Sequence, residues 1–290
     1  MPAYQTLYRD VLKYIEDNID ENLNVEALCK HFGLSKYHFH RQCSAYFGMP
    51  LISLVRLLRL KRAAFQLAYR TEEKIVNIAI MSAYDSHEAF TRTFRRYFNM
   101  SPSEFRQSPD WTAWQTKYSP VLKLRDKIVK DKHAFQVKVV DFAEVKLAVL
   151  PHLGSPKLLG KTIQSFIQWR KENNLPPSKS RTFNLVYDDP NTVAPEDYRF
   201  DICCSIKHDV PSNQHGVMNN TIPRGKCALI RHIGSDDSIG LPLTYLYYQW
   251  LTSSDYKLRD FPVFFERISF FPDVPENEMI TDIYLPIEST

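Results

Sequence analysis

The same helix-turn-helix pattern occurs twice within the first 106 residues of this chain. The first copy spans residues 23–50 and the second spans residues 73–102. Gly33 corresponds to Ala83 at an offset of 50, and later positions recur at an offset of 51, so the second turn is one residue longer. The later pairs are Phe39 and Phe90, Arg41 and Arg92, Phe47 and Phe98, and Met49 and Met100. Two such units on one chain predict a protein that reads two adjacent segments of DNA.

The segment 51–69 between the two units has the apolar spacing of a single helix. A helix of about 20 residues is roughly 30 Å long. This length is close to the roughly 34 Å between successive major-groove segments on one face of B-DNA. A stiff connecting helix would therefore hold both recognition helices toward one side of the duplex. The sequence predicts a monomer bound to an asymmetric double-stranded DNA site of about two turns.

The second helix of each unit carries basic and polar side chains on the face opposite its apolar positions. On the first recognition helix, we expect His40 and Arg41 to contact base edges and Tyr37 to stack on sugar or a thymine methyl group. On the second, the pair Arg95 and Arg96 is expected at the phosphate backbone. The alternative for any single residue is a solvated surface side chain. The predicted DNA-contacting residues are Lys36, Tyr37, His40, Arg41, Gln42, Ser86, His87, Thr91, Arg92, Arg95 and Arg96.

The positive charge of the chain is concentrated in the repeated units. Residues 35–106 contain 12 Lys or Arg against 5 Asp or Glu, whereas residues 119–290 contain 21 of each kind. A local basic surplus is what contact with DNA phosphates requires. The second part of the chain has no comparable electrostatic reason to bind nucleic acid.

Length and composition favour a globular chain of two or three domains, because 290 residues at 44% hydrophobic content can bury a large core. No apolar run reaches the roughly 18 residues of a membrane span, and the start lacks a signal-peptide core, so we expect a cytoplasmic protein without membrane contact. The five cysteines include no CxxC pair, which argues against a disulfide frame or a metal site. Neighbouring Cys203 and Cys204 are expected on opposite faces of a strand. No cofactor is expected.

Residues 8–106 resemble the DNA-binding domain of the AraC/XylS family, on the run IAIMSAYDSHEAFTRTFRRYFNMSPSEFR at 78–106. The family usually has glycine where Ala83 and Asn99 stand, and we expect Ala83 to strain the second turn slightly. The N-terminal position of this domain and its flank SPDWTAW (108–114) are similar to the Rob-like branch. That resemblance implies a monomeric activator that works with RNA polymerase.

The second part of the chain contains another internal repeat. Five residues recur 80 positions later: Lys146, Ala148, His152, Gly154 and Ser155 return as Lys226, Ala228, His232, Gly234 and Ser235. The pattern predicts a strand-strand-helix-strand-strand module in two copies, paired around a pseudo-twofold axis with a groove between them. Residues present in both copies, such as Asp201 and Asp282, are expected to serve the shared fold. The two histidines are interpreted as turn residues, with metal ligation as the alternative.

Glu266 occurs in one copy of the repeat, where it aligns with Leu185. A carboxylate on a strand of Phe and Ile is costly to bury without a partner, and a cationic ligand would supply one. The alternatives are a solvent-facing side chain or a pair with a local Arg. Nearby aromatic residues would form walls suited to a cation: Tyr245, Tyr247, Tyr248, Trp250 and Phe264. The predicted ligand-binding set is Glu266, Tyr245, Tyr248, Trp250 and Phe264.

Residues 135–287 resemble the GyrI-like, duplicated SHS2-type effector domain of multidrug-responsive regulators. The resemblance is carried by residues 225–234, 247–251, 261–268 and 281–287. It implies that the family's ligand-binding glutamate is Glu266, although the spacing P-x-F-E is one residue longer here.

The sequence therefore predicts an α+β chain, with an all-α double helix-turn-helix domain before an antiparallel-sheet effector domain. The predicted boundaries are 1–112 for the DNA-binding domain, 113–134 for a linker and 135–290 for the effector domain. We expect a transcription regulator, an activator, whose second domain binds a small amphipathic effector, with an amphipathic cation as one candidate. One alternative is a protein-interaction module without ligand. The other is a hydrolase, for which no Ser/His/Asp or Cys/His arrangement is visible, and we expect no enzymatic activity.

Overall fold

The chain forms two compact units in this computed structural model. The structure describes residues 2–21, 23–130, 135–190 and 192–290. For residues 2–5, 36–38, 40, 120 and 123–130 it describes the backbone but not the side chains. The first unit contains the described residues up to 130, together with Ser235–Ser238 and Phe271–Glu278. The second contains the described residues from 135 to 234, together with Ile239–Phe270 and Met279–Thr290.

The first unit is helical, as the sequence predicts. Its helices are α1 (Pro2–Asp17), α2 (Val25–Phe32), α3 (Lys36–Phe47), α4 (Leu51–Tyr69), α5 (Ile75–Met81), α6 (His87–Phe98), α7 (Pro102–Gln107) and α8 (Thr112–Lys130). The side chain of Asn24 accepts a hydrogen bond from Ala27 N and begins α2, and Gly33 ends it in the left-handed conformation. The pairs α2–α3 and α5–α6 are the two helix-turn-helix units.

Helix α4 lies at the centre of the first core. Most of its residues are buried, including Leu51, Leu54, Leu60 and Leu67 with no exposed surface. A helix that is buried on most of its circumference must be covered from several sides. The helices of the two helix-turn-helix pairs, all in the first unit, provide this cover. Its 19 residues give a length of about 28 Å at 1.5 Å per residue.

The segment predicted as a linker at 113–134 differs from that expectation where the structure describes it. Residues 112–130 form α8, and Trp114, Tyr118 and Val121 are buried in the first core. The Trp114 ring stacks on Phe98 with 5.0 Å between centroids. These apolar residues recur at three- and four-residue spacing, which places them on one helix face. Residues 131–134 lie outside the described residues.

The second unit is built on one antiparallel sheet. Its strands are β1 (Lys138–Phe142), β2 (Val145–Leu153), β3 (Thr182–Val186), β4 (Arg199–Ser205), β5 (Met218–Ile222), β6 (Gly225–Ile233), β7 (Tyr256–Leu258), β8 (Val263–Arg267) and β9 (Ile280–Ser289). The strand order is β1-β6-β9-β8-β3-β4-β2-β5, and β7 pairs with β9. Two helices complete the modules, α9 (Leu159–Glu172) and α10 (Gly240–Tyr245), the latter continued by a π-helical turn over Leu246–Trp250.

The sheet confirms the duplicated module and shows how the two copies join. Strand β3 of the first copy pairs with β8 of the second at the centre. Each copy also contributes its first strand to the other, because β1 pairs with β6 and β5 pairs with β2. The two copies are therefore one folding unit.

The two faces of the sheet have different coverings. On the helix-covered face, Phe166 and Trp169 of α9 and Leu246 pack against strand residues. The opposite face, called here the aromatic face, carries Phe142, Phe183, Phe264 and Tyr284. Cys203 belongs to the aromatic face and Cys204 to the helix-covered face, which confirms the alternation expected for the cysteine pair.

Among the described residues, no single helix has both the length and the apolar content of a membrane span. One bent pair, Arg41–Phe47 with Leu51–Tyr69, meets the criterion by length and composition when the two are taken together.

Ala83 adopts a left-handed backbone with φ of 56°, whereas its counterpart Gly33 has φ of 64°. For a residue with a Cβ this conformation costs about 1–2 kcal/mol, and glycine loses about 0.5–1 kcal/mol more backbone entropy on folding. We therefore expect Ala83→Gly to stabilise the first unit by about 0.5–1 kcal/mol. Thermal unfolding followed by far-ultraviolet circular dichroism measures the change.

The matched variant is Gly33→Ala, because a Cβ at Gly33 would have no atom within 4 Å and would test backbone strain alone. It should lower stability by a similar amount. A lower melting temperature for Ala83→Gly would contradict the strain assigned to the second turn.

Candidate DNA interface and effector site

Helix α6 presents a basic surface on a buried aromatic base. Phe90, Phe94 and Phe98 are buried, while the side chains between them reach solvent. Exposed residues of the predicted DNA-contacting set on this helix and its cap are Ser86, His87, Arg92, Arg95 and Arg96. The packing of three phenylalanines fixes the rotation of the helix, so the arginines are held on the outer face.

Two polar residues of the predicted set have side-chain oxygens that are buried or already used within the helix. Thr91 is half-buried, and its hydroxyl oxygen is shielded from solvent. Ser86 remains exposed but caps α6, because its hydroxyl oxygen accepts a hydrogen bond from Ala89 N at 3.1 Å. Their DNA contacts stay predictions.

On helix α3, as on α6, an arginine of the predicted set is exposed while a polar neighbour is partly buried. Arg41 is exposed. Gln42 is half-buried, and its Oε1 accepts a hydrogen bond from the hydroxyl of Tyr8 on α1 at 2.9 Å. The amide of Gln42 is thereby used within the unit. The side chains of Lys36, Tyr37 and His40 lie outside the described residues.

The predicted effector-binding residues do not come together in one place. Phe264 and Glu266 lie two residues apart on β8, and both face the aromatic side of the sheet. Tyr245 and Trp250 pack against the helix-covered face, and Tyr248 is 76% exposed. The expectation of a single aromatic cage around Glu266 is therefore wrong for the three helix residues. They were grouped by closeness in sequence, but a sheet separates them from Glu266.

Glu266 has a partner that the sequence analysis named only as an alternative, a local arginine. Its side chain is 10% exposed, and Arg181 donates from Nε to Oε1 at 2.6 Å and from Nη2 to Oε2 at 2.8 Å. The hydroxyl of Tyr284 also lies 3.3 Å from Oε2. The hydrogen bond to Glu266 raises the pKa of Arg181, and burial raises the pKa of Tyr284.

Two further carboxylates on the aromatic face are buried and paired in the same way. Asp282 accepts from Nε and Nη2 of Arg231, both at 2.7 Å. Asp201 accepts from Arg199 at 3.3 and 3.1 Å. Sequence analysis missed all three arginines. The pairs of Arg181 and Arg231 depend on which strands become neighbours, whereas Arg199 and Asp201 lie two residues apart on one strand. The alternation of residues along each strand did offer one signal. It places Arg231 and Asp282 each on the same sheet face as buried residues of its own strand.

The strand register places one set of these charges in a row. Arg231 lies opposite Asp282, Asp282 opposite Glu266, and Glu266 opposite Phe183, two residues after Arg181. Two carboxylates that face each other repel, so the flanking arginines are what permits this arrangement on a buried face.

His152 serves its turn, which is one of the two interpretations given for the repeated histidines. Its Nδ1 lies 2.8 Å from Thr162 Oγ1 and its Nε2 lies 3.1 Å from the carbonyl oxygen of Ser155. Within the described part of the chain, no three His, Cys, Asp or Glu residues are grouped to hold a metal ion. An open depression is lined by Lys146, Ile206, Asp209, Asn219, Asn220 and Thr221, and none of the predicted ligand-binding residues lines it.

Comparison with known proteins decides the family. Residues 135–288 match the GyrI-like small molecule binding domain, and residues 28–108 match a helix-turn-helix domain. The chain belongs to the transcription regulators that combine an AraC-type helix-turn-helix domain with a GyrI-like domain. This confirms both resemblances and the α+β architecture.

The relatives match different lengths of the chain. The probable transcriptional regulator YgiV of Escherichia coli is 40% identical over 152 residues, which cover 52% of this chain and 95% of YgiV. The transposon Tn10 TetD protein of Escherichia coli is 34% identical over 108 residues, 37% of this chain and 78% of TetD. The transcriptional regulator Rob of Salmonella typhimurium is 28% identical over 57% of this chain and 53% of Rob. Among solved structures, the EcmrR–DNA complex aligns with 92% of this chain and 99% of its own at 14% identity and a TM-score of 0.44.

The two partners of the Glu266 pair should respond differently to removal. Arg181→Ala leaves a buried carboxylate without a cation, whereas Glu266→Gln leaves a guanidinium that reaches solvent. We expect a loss of about 2–3 kcal/mol for the first and about 1 kcal/mol or less for the second. Hydrogen exchange of the β8 and β9 amides measures the loss within the sheet.

Arg231→Ala and Asp282→Asn form the matched comparison, because that pair has the same two-bond geometry. Equal losses for Arg181→Ala and Glu266→Gln would contradict the burial of the carboxylate.

Proposed function

We propose that this regulator binds an asymmetric DNA site of about two turns as a monomer, with both recognition helices inserted in the major groove. The observation that carries the proposal is the single buried helix α4, which connects the two helix-turn-helix units. Arg41 and Arg92 occupy equivalent positions on α3 and α6, and both are exposed. Equivalent side chains on two rigidly connected helices suit two successive groove segments.

The proposal assigns different roles to the exposed arginines. Arg41 and Arg92 read base edges, for which a guanidinium is suited because it forms two hydrogen bonds to guanine. Arg95 and Arg96 lie in the last turn of α6 and neutralise phosphates. The protein acts as an activator together with RNA polymerase, in the cytoplasm where its DNA is found. The monomeric activators of the Rob-like branch, which the first domain resembles, support this assignment.

The second unit, in this proposal, binds a small amphipathic cation with Glu266 as its counter-charge. The support is a buried carboxylate on a face rich in aromatic rings, in a domain whose family binds small molecules. Binding changes the equilibrium between conformations of the regulator, by as much as the effector's affinity differs between them.

One observation favours a second candidate function, a protein-interaction module without effector. Arg181 already neutralises Glu266, so the carboxylate has no unmet need for a cation. The two candidates differ in what a soluble cation does to the protein.

We expect amphipathic cations to raise the melting temperature of the full chain and to lose this effect in Glu266→Gln. Neutral analogues of the same compounds are the control and should leave both proteins unchanged. A thermal-shift series measures the difference. An equal shift in both proteins would remove Glu266 from the site, and no shift with any cation would favour the interaction module.

For the DNA interface, we expect Arg92→Ala to cost about 1–3 kcal/mol of binding at the cognate site and to relax base preference there. Arg41→Ala should do the same at the other half of the site. Arg95→Ala should weaken all sequences alike and reduce the slope of log affinity against log salt by about 0.9. Fluorescence anisotropy over a salt series, on specific and random duplexes, measures both quantities.

Lys226→Ala is the charge-matched control, because it removes one exposed positive charge from the second unit. It should leave affinity and salt slope unchanged. If Arg92→Ala bound the specific duplex as tightly as the unmodified protein, the second recognition helix would not read bases.

A further inference from the structure

The cation that neutralises Glu266 is held as a bound ligand would be. Arg181 places two N–H groups on the two oxygens of one carboxylate, the paired geometry that planar cations form. Its guanidinium carbon also lies 4.8 Å from the ring centre of Phe183 and 5.6 Å from that of Phe142. A buried carboxylate and two aromatic rings are the elements of a cation-binding site. In this structure an arginine of the chain fills it.

The backbone of Arg181 is held by hydrogen bonds that do not involve its side chain. Its backbone N–H donates to Ser205 Oγ at 2.9 Å, and its carbonyl accepts from Ser205 N at 2.9 Å. These bonds hold the start of β3 while the side chain, 47% exposed, has an open side toward solvent. Rotation of side-chain torsions alone would uncover Glu266.

The other two arginine–carboxylate pairs of the aromatic face lack one element each. Arg231 makes the same two bonds to Asp282, but among the described residues it lies over no aromatic ring. Arg199 stacks on Tyr187 at 3.8 Å, but its bonds to Asp201 are longer and come from a residue of the same strand. Short paired bonds and two rings coincide at Glu266.

Apolar surface continues from this site along the same face. Ile233 and Ile280 lie opposite each other, two residues along their strands from Arg231 and Asp282. Ile268 donates its N–H to the carbonyl of Ile280 at 3.0 Å. Ile233 is 60% exposed and Ile268 is 44% exposed. Ile268 is two residues, about 7 Å, along the chain from Glu266, whereas Ile233 is also two strands across the sheet and therefore about 12 Å away. An apolar group attached to a cation at Glu266 reaches Ile268 first and must extend across β9 to reach Ile233.

We propose that Arg181 is an internal ligand of Glu266, and that the effector carries a guanidinium or amidinium group which displaces it and an apolar group which covers Ile233 and Ile268. The inference rests on the proposed function, because it assumes that the second unit binds a cation at Glu266. It adds the chemical class of that cation and a competitor built into the chain. The effector must outcompete a side chain at very high effective concentration, which sets a threshold for the response.

The test uses the full chain and n-butylguanidinium as the probe. Its neutral isostere n-butylurea and tetramethylammonium, which has no N–H donor, are the comparison compounds. Calorimetric titration of Arg181→Ala should show binding of n-butylguanidinium at least tenfold tighter than to the unmodified protein. The comparison compounds should bind this variant at least tenfold more weakly than the probe. Arg181→Ala with Glu266→Gln should lose the gain.

Arg231→Ala is the matched control, because it opens Asp282, whose arginine lies over no aromatic ring among the described residues, and its gain should be smaller. If Arg181→Ala does not fold, Arg181→Met is used in place of that variant, because it keeps an apolar stem over Phe183. Equal binding to the single and double variants would place the cation elsewhere and overturn the proposed effector site. Equal binding of tetramethylammonium and the probe would overturn the chemical class alone. A folded Arg181 variant that binds the probe no more tightly than the unmodified protein would overturn the internal competitor, while a Glu266-dependent thermal shift would keep the proposed function.

Discussion

Neither copy of either repeat can bury its apolar surface alone, and this constraint determines both units. In the first unit the two helix-turn-helix copies share α4, whose leucines are buried on several sides. In the second, the modules exchange their first strands and pair β3 with β8 at the centre of one sheet. A repeated supersecondary element is stable when a neighbour covers its apolar face. Sharing a helix and exchanging strands are two solutions to the same requirement.

Burial of one sheet face then creates an electrostatic problem, which arginines solve. Asp201, Glu266 and Asp282 are each less than 8% exposed, and desolvation of an unpaired carboxylate is costly. Each is paired with an arginine whose side chain is about half exposed. The guanidinium keeps part of its hydration while it gives the buried carboxylate two hydrogen bonds. The pairs Arg181–Glu266 and Arg231–Asp282 join different strands and so depend on a particular alignment of neighbours, whereas Arg199 and Asp201 lie on one strand.

The sequence predicted the features that depend on local spacing. The helix-turn-helix pairs, the connecting helix, the left-handed strain at Ala83 and the opposite faces of Cys203 and Cys204 follow from periodicity or from the needs of one residue. The duplicated module was visible because identical residues recur at a nearly constant offset. The alignment of Glu266 with Leu185 also identified the exceptional carboxylate.

What depends on strand neighbours could not be predicted. Arg181 is 85 residues from Glu266 in sequence, and no local pattern connects them. Tyr245 and Trp250 follow a helical spacing close to Glu266 in sequence, yet they pack on the opposite face of the sheet. The prediction of a linker at 113–134 differs from the structure for a related reason, namely a contact between residues distant in sequence. Trp114 and Tyr118 become core residues because Phe98 lies beside Trp114.

Differences between the two copies of each repeat mark where function departs from folding. Gly33 and Ala83 hold the same turn, so the alanine is a change that the fold tolerates at a cost. Asp201 and Asp282 occur at equivalent positions in the two copies. Each lies on a paired strand and is bonded to an arginine. Glu266 replaces Leu185 in the second copy alone, next to Asp282, in a position where the fold of the first copy needs no charge. The fold of the first copy is complete without this carboxylate, which is why Glu266 is the residue that we propose as the counter-charge of a ligand.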